Sequence, residues 1–147
     1  MADQPTAAEH ALAPFDDKMW RLVKLHEALA KLQADLPEIK KSERAEVEMK
    51  SGATFEYSYA NLAGVTREIM PRMGALGLSF TSRPTLNREG KFVLAYELRH
   101  SAGAMIAGEY ALPARSGPQQ TGSGITYARR YWLCAVTGIV KGGLIGL

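Results

Sequence analysis

Two adjacent arginines, Arg129 and Arg130, stand between two tyrosines, Tyr127 and Tyr131, behind a donor-rich lead-in of Gln119, Gln120, Thr121, Gly122, Ser123 and Gly124. A guanidinium fork pairs bidentately with phosphate oxygens, hydroxyls add neutral donors, and the free N–H groups at a helix start favour anions. Aromatic rings beside such a cation stack on bases irrespective of sequence. These residue types in this order therefore suit a phosphodiester backbone. The same pattern also describes a solvated helix face at the rim of a core, so the positioning elements decide its meaning.

The first of those elements is the helix that carries the arginines, expected over 121–137. At about 100° per residue, Ile125, Ala128, Trp132, Ala135, Val136 and Ile139 share the side that should pack. Ser123, Thr126, Arg130 and Thr137 fall on the other side, with Tyr127 and Tyr131 beside them as an i, i+4 pair. Arg129 lies roughly 100° from Arg130, at the edge of the apolar side. Helical phase thus predicts Arg130 as the phosphate ligand and Arg129 as a packing residue.

Composition sets the bounds. The 147 residues suit one domain with a single core, and an apolar fraction of 46% with 22% charged residues argues against wholesale disorder. No run approaches the ~18 apolar residues of a membrane helix, and MADQPTAAEH has neither a basic n-region nor an apolar h-region, so a cytoplasmic location without membrane contact is expected. The net charge of +3 is unevenly spread: −2 over residues 1–36, −1 over 37–70, +2 over 71–109 and +4 over 110–147. The positive half holds the Arg-Arg helix and a hairpin bearing Arg88, Lys91 and Arg99, as an anionic polymer would require.

Catalytic chemistry is poorly provided for. All four aspartates, Asp3, Asp16, Asp17 and Asp35, lie in the first 35 residues, which leaves two-metal hydrolysis to glutamates alone. His10, His26 and His100 show no ligand spacing, and the single cysteine, Cys134, excludes an intrachain disulfide. Gly122-Ser123-Gly124 lacks the Lys-Ser/Thr ending of a P-loop. No cofactor, no metal and no enzymatic activity are expected.

Along the chain, residues 1–14 read as a flexible terminus. From Phe15, the residues Met19, Leu22, Val23, Leu25, Leu29, Leu32 and Leu36 recur at helical spacing up to Pro37. Alternation around Val47 and Met49, and again through Phe55, Tyr57 and Tyr59, predicts a hairpin turning at Ser51, Gly52 and Ala53. Asn61 is placed to cap a helix whose inward positions are Leu62, Val65, Ile69, Met73 and Leu76; Pro71 should kink it and Gly77 give it a left-handed exit. Leu78 and Phe80 start a short strand that Pro84 should end. A three-residue loop Ser101, Ala102, Gly103 then pairs Leu98 with Ile106, Tyr96 with Gly108, Leu94 with Tyr110 and Phe92 with Leu112, all on one apolar face. On the other face Glu97 and Glu109 become diagonal neighbours beside Arg99, as ion-pair partners. The expected class is α+β: an antiparallel sheet with a β-hairpin core packed with helices, in one domain over 15–139 followed by a short apolar tail, 140–147.

Three stretches together resemble the ERF (essential recombination function) family of phage single-strand annealing proteins. TYARRY follows the Gln/Gly/Ser-rich lead-in and precedes a small apolar run and Gly138. Upstream stand YSYANLAGVTREIMPRMGALGLSF, Tyr57 to Phe80, and KFVLAYELRHSAGAMIAGEYALP, Lys91 to Pro113. The resemblance covers about two thirds of the chain in the family's order. It implies an annealing-protein-like β-β-β-α arrangement and a protein that binds single-stranded DNA and promotes ATP-independent annealing in phage homologous recombination and repair. It also implies a homo-oligomeric ring or filament in a bacterial host cytoplasm, with a host or phage single-strand-binding protein or exonuclease as candidate partner. The DNA-binding set expected on this chain is Arg130, Arg129, Tyr127, Tyr131, Thr126, Ser123, Gln120, Lys91, Arg99 and Arg88. The tail VKGGLIGL departs from the polar or acidic continuation usual in the family. The alternative is a non-enzymatic structural or assembly protein whose basic face meets an acidic partner.

Overall fold

The computed structural model describes residues 7–39, 43–48, 54–59, 61–113 and 117–139, with side chains described for 17–39, 61–113 and 117–139. Its elements run α1 (Ala7–Ala34), β1 (Glu43–Glu48), β2 (Thr54–Tyr59), α2 (Leu62–Ala75), β3 (Leu78–Leu86), β4 (Phe92–His100), β5 (Met105–Ala111) and α3 (Pro118–Thr137). β1 and β2 form a two-stranded antiparallel ribbon of their own, and β3-β4-β5 form a three-stranded antiparallel sheet. The class is α+β with the β-β-β-α order. The expected tail 140–147, the ribbon's turn at 49–53 and residues 1–6 of the terminus lie outside the described residues.

The β4–β5 register is set by local chemistry. Gly103 takes φ 108°, which a side chain resists, and His100 N–H donates to Ala104 O at 2.9 Å to close the loop. Leu98 then faces Ile106, Tyr96 faces Gly108, Leu94 faces Tyr110, and Leu112 N–H donates to Phe92 O at 3.0 Å, the register read from sequence. Both bonds put the even-numbered residues of β4 in hydrogen-bonded pairs with β5. By antiparallel alternation the odd-numbered residues of β4 bond to β3.

That alternation explains a difference from expectation. β3 does not end at Pro84; it continues to Leu86, with Pro84 opposite Leu94. β3 is an edge strand, and position 84 is one of those facing away from β4, so the missing N–H breaks no bond of the ladder.

α2 is capped by Asn61, whose Oδ1 accepts from Gly64 N–H at 2.7 Å. The helix runs through Pro71 to Ala75, and Gly77 turns the chain at φ 74°. A Cβ at Gly77 would come within 2.6 Å of Ser101 Oγ, while Ser101 N–H donates to Gly77 O at 2.9 Å, so the turn requires glycine twice over.

Val65, Ile69 and Met73 of α2 are fully buried against Ala28 and Leu32 of α1, Leu78 and Leu98 of the sheet, and Leu133 and Cys134 of α3. A second cluster joins Leu94, Leu112 and Ala128, with Phe92, Tyr110, Ile125 and Trp132 around it. α1 differs from the reading in two ways. It begins at Ala7 inside the stretch expected to be flexible, and Met19, Leu22 and Val23 of its apolar stripe are exposed where the helix passes beyond the core.

Candidate nucleic-acid interface

α3 starts earlier than expected. Gly117 is its N-cap and Pro118 occupies the first turn, where a preset φ and a missing N–H cost nothing, so Gln119 and Gln120 of the lead-in are helical as well. It ends at Gly138, in the left-handed region with φ 82°, whose N–H donates to Cys134 O at 2.9 Å.

Its buried side changes along its length. Up to Trp132 the helix lies on the sheet through Ile125, Ala128 and Trp132; Trp132 stacks on Tyr96, with centroids 4.5 Å apart and planes at 15°, and meets Tyr110 edge-on at 6.0 Å. From Leu133 onward, Leu133, Cys134 and Thr137 turn into the core shared with α1 and α2. Thr137, expected on the exposed stripe, is completely buried, and its Oγ1 donates to Leu133 O at 2.6 Å. Ala135, expected to pack, is exposed. A single helical phase fails because the helix leaves one packing partner for another after Trp132.

This rotation reverses the two arginines. Arg129 is exposed, whereas Arg130 is half-buried with its guanidinium 5.6 Å from the Tyr127 ring. Arg129 lines a cleft of about 280 Å³ with Leu62, Thr66 and Met70 of α2, Phe80, Thr81 and Ser82 of β3, and Leu133 of α3. A more open depression adjoins it through the shared Leu62 and Thr66, lined also by Asn61, Ala63, Arg67 and Thr126. The two form one channel between α2 and α3, running from the N-terminus of α2 down to the edge of the sheet. Arg67 and Arg129 lie along it, neither ion-paired among the described residues. Thr66, Thr126, Thr81 and Ser82 supply hydroxyls, and the first turn of α2 brings the positive end of a helix dipole.

Of the residues expected at the interface, Arg129 and Thr126 meet in this channel. Gln120 and Ser123 are exposed on the first two turns of α3. Tyr127 and Tyr131 stack on each other at 6.2 Å and 19°, but on the flank toward β5, where Tyr131 approaches Tyr110 at 6.2 Å. Arg99 is on the opposite face of the sheet from Trp132, because it alternates with Leu98 along β4. Its Nε donates to Glu97 Oε2 at 2.8 Å. This hydrogen bond, opposed by partial desolvation and helped by the charges of Arg99 and Arg83, holds the Glu97 carboxyl below the usual carboxylate range. Lys91 and Arg88 belong to the β3–β4 turn, with Lys91 3.5 Å from Glu89. Glu109 accepts from Asn87 Nδ2 at 3.3 Å. The structure therefore does not gather Arg99, Lys91 and Arg88 into the channel.

Asn61, Thr66, Arg67, Thr81 and Ser82 were missed by sequence reasoning. Arg67 carried a signal: it falls opposite Val65 and Ile69 on α2, as an unpaired basic residue on an exposed face.

Among the described residues no three His, Cys, Asp or Glu side chains are grouped to hold a metal, and no helix is long and apolar enough to cross a membrane. Three consecutive antiparallel strands with a helix laid across them make a β-β-β-α module, and arginines and hydroxyls line the channel beside that helix. The chain belongs to the ERF superfamily, whose family model matches residues 25–142. That family is associated with phage recombination and single-strand annealing, implies interaction with single-stranded DNA, and its annealing proteins are in general not catalytic enzymes. No curated protein and no solved structure matches the chain.

Proposed function

We propose that this protein binds single-stranded DNA and promotes ATP-independent annealing of complementary strands as a homo-oligomer. The observation that carries the reading is the channel between α2 and α3 in a chain of this family: arginines and hydroxyls face a groove, and among the described residues the arginines are not ion-paired and no acidic side chain lines it. Annealing needs a strand held by its backbone with base edges left free to test a second strand. Arg129, Arg67, Thr66 and Thr126 suit the phosphates, since they read charge and not sequence. The Tyr127–Tyr131 pair, on the other flank of α3, offers a place for a base to stack.

Fluorescence anisotropy with a labelled oligonucleotide, without ATP or metal, tests this. Binding should favour single strands over duplex, and its log affinity should fall with log salt by about 0.7 for each phosphate neutralised. Affinity that stays constant from low to moderate salt excludes a backbone-held strand and leaves the basic half for an acidic protein partner.

A further inference from the structure

Two backbone features remain once the channel is assigned: a strand with no neighbour on one side and a ribbon outside the main sheet. The first is β5. Since Leu112 N–H bonds to Phe92 O and His100 N–H to Ala104 O, the even-numbered residues of β5 pair with β4, and Met105, Ala107, Glu109 and Ala111 turn their N–H and C=O groups outward. An open edge is usually blunted by proline, charge, a bulge or a cover. β3, at the other side of the sheet, is blunted in this way by Pro84, which has no donor to present outward. β5 has no proline and one charged residue, and exposes Met105 and Ile106. On its helix side stands an apolar ledge of Tyr110, Tyr131 and Tyr127, the last two about half exposed.

The second feature is the β1–β2 ribbon. It forms a sheet of its own and is not hydrogen-bonded into the β3-β4-β5 sheet. A two-stranded ribbon is marginal in water without a third strand or a packing surface. Its strands differ in what they offer a neighbour. β1, ERAEVE, has three glutamates in six residues, the composition of a protected edge. β2, TFEYSY, has one, and its other residues are Thr, Ser and aromatics, mostly good strand formers.

We infer that β2 of one copy adds to the free edge of β5 in a second copy. The sheet then runs β3-β4-β5 into β2-β1 across the subunit boundary. Six residues of β2 match seven of β5. The added strand gains the ladder bonds that both edges lack, lies beside Ile106 and the tyrosines on the helix side and beside Met105 on the other, and leaves the acidic β1 outermost. The contact is heterologous, so successive copies form a ring or a filament. It rests on the self-association in the proposed function, and is independent of the DNA-binding part.

Complementation tests it, by light scattering without DNA. Ala107→Pro removes an outward N–H that β4 does not use; Ser58→Pro interrupts β2, which belongs to the ribbon and not to the β3-β4-β5 sheet. The parent should assemble. Each variant alone should fall to a monomer with a melting temperature within a few degrees of the parent. Mixed, they should form a one-to-one dimer, because one retains the donor strand and the other the acceptor edge. Variants that assemble like the parent, or a mixture that stays monomeric, overturn the inference. A monomeric parent removes the self-association reading itself. Should Ala107→Pro unfold, Ala107→Lys puts a charge on the same edge without touching the β4–β5 ladder and is read in the same way.

Discussion

Trp132 of α3 stacks on Tyr96 of β4 with centroids 4.5 Å apart, and the cross-strand partner of Tyr96 is Gly108. A Cβ at Gly108 would overlap the Tyr96 hydroxyl end. The glycine therefore makes room for the ring that seats the DNA-candidate helix. Gly108→Ala is expected to destabilise the fold by about 1–3 kcal/mol through overpacking, and to change Trp132 fluorescence. Thermal denaturation at parental stability with an unchanged emission spectrum would show that Tyr96 does not depend on this space.

The two arginines should separate by assay. Arg129→Ala removes an exposed cation from the channel and should weaken single-strand binding roughly tenfold, about 1.4 kcal/mol, with the melting temperature unchanged. Arg67→Ala should act in the same direction. Arg130→Ala instead loses a guanidinium packed near Tyr127 and should cost stability, about 0.5–1 kcal/mol. Anisotropy and calorimetry on the three variants decide it; an Arg130→Ala protein that loses DNA at full stability would move the interface to the tyrosine flank.

Gly122 lies in the second turn of α3, not in the left-handed region, and a Cβ there would meet nothing within 4 Å. Helix-interior glycine costs roughly 0.5–1 kcal/mol relative to alanine. Gly122→Ala should therefore raise the melting temperature by a few degrees, and a decrease would contradict a helix that begins at Pro118.

Glu97 contributes a pH dependence of known sign. Its carboxyl is held below the ordinary value of 4.5 in the folded protein, chiefly by the Arg99 hydrogen bond. The unfolded chain therefore binds the proton first as pH falls, and the pair's contribution is present above pH 4.5 and lost through the region below it. The pair is on the surface, so the effect is small and screened by salt. Melting temperatures of the parent and Glu97→Gln should differ at pH 7 and converge as the pH falls below 4.5; a gap that widens in acid would reverse the sign.

What the sequence determined by itself is what depends on near neighbours. The β4–β5 register follows from a three-residue loop with Gly103 at positive φ and a strict alternation on both sides, since any slip moves every apolar residue to the wrong face. The Asn61 cap and the Gly77 exit are likewise contained within one turn of chain. The tertiary structure alone decided the rest. Pro84 ends a strand only if its outward side needs a donor, which depends on β3 being an edge. The exposure of Arg129 over Arg130 depends on α3 passing from the sheet to α1 and α2, so that its buried side rotates between Trp132 and Thr137. The channel exists because α2, α3 and β3 converge on Thr66, Ser82 and Arg129, residues far apart in the chain whose meeting no local periodicity encodes.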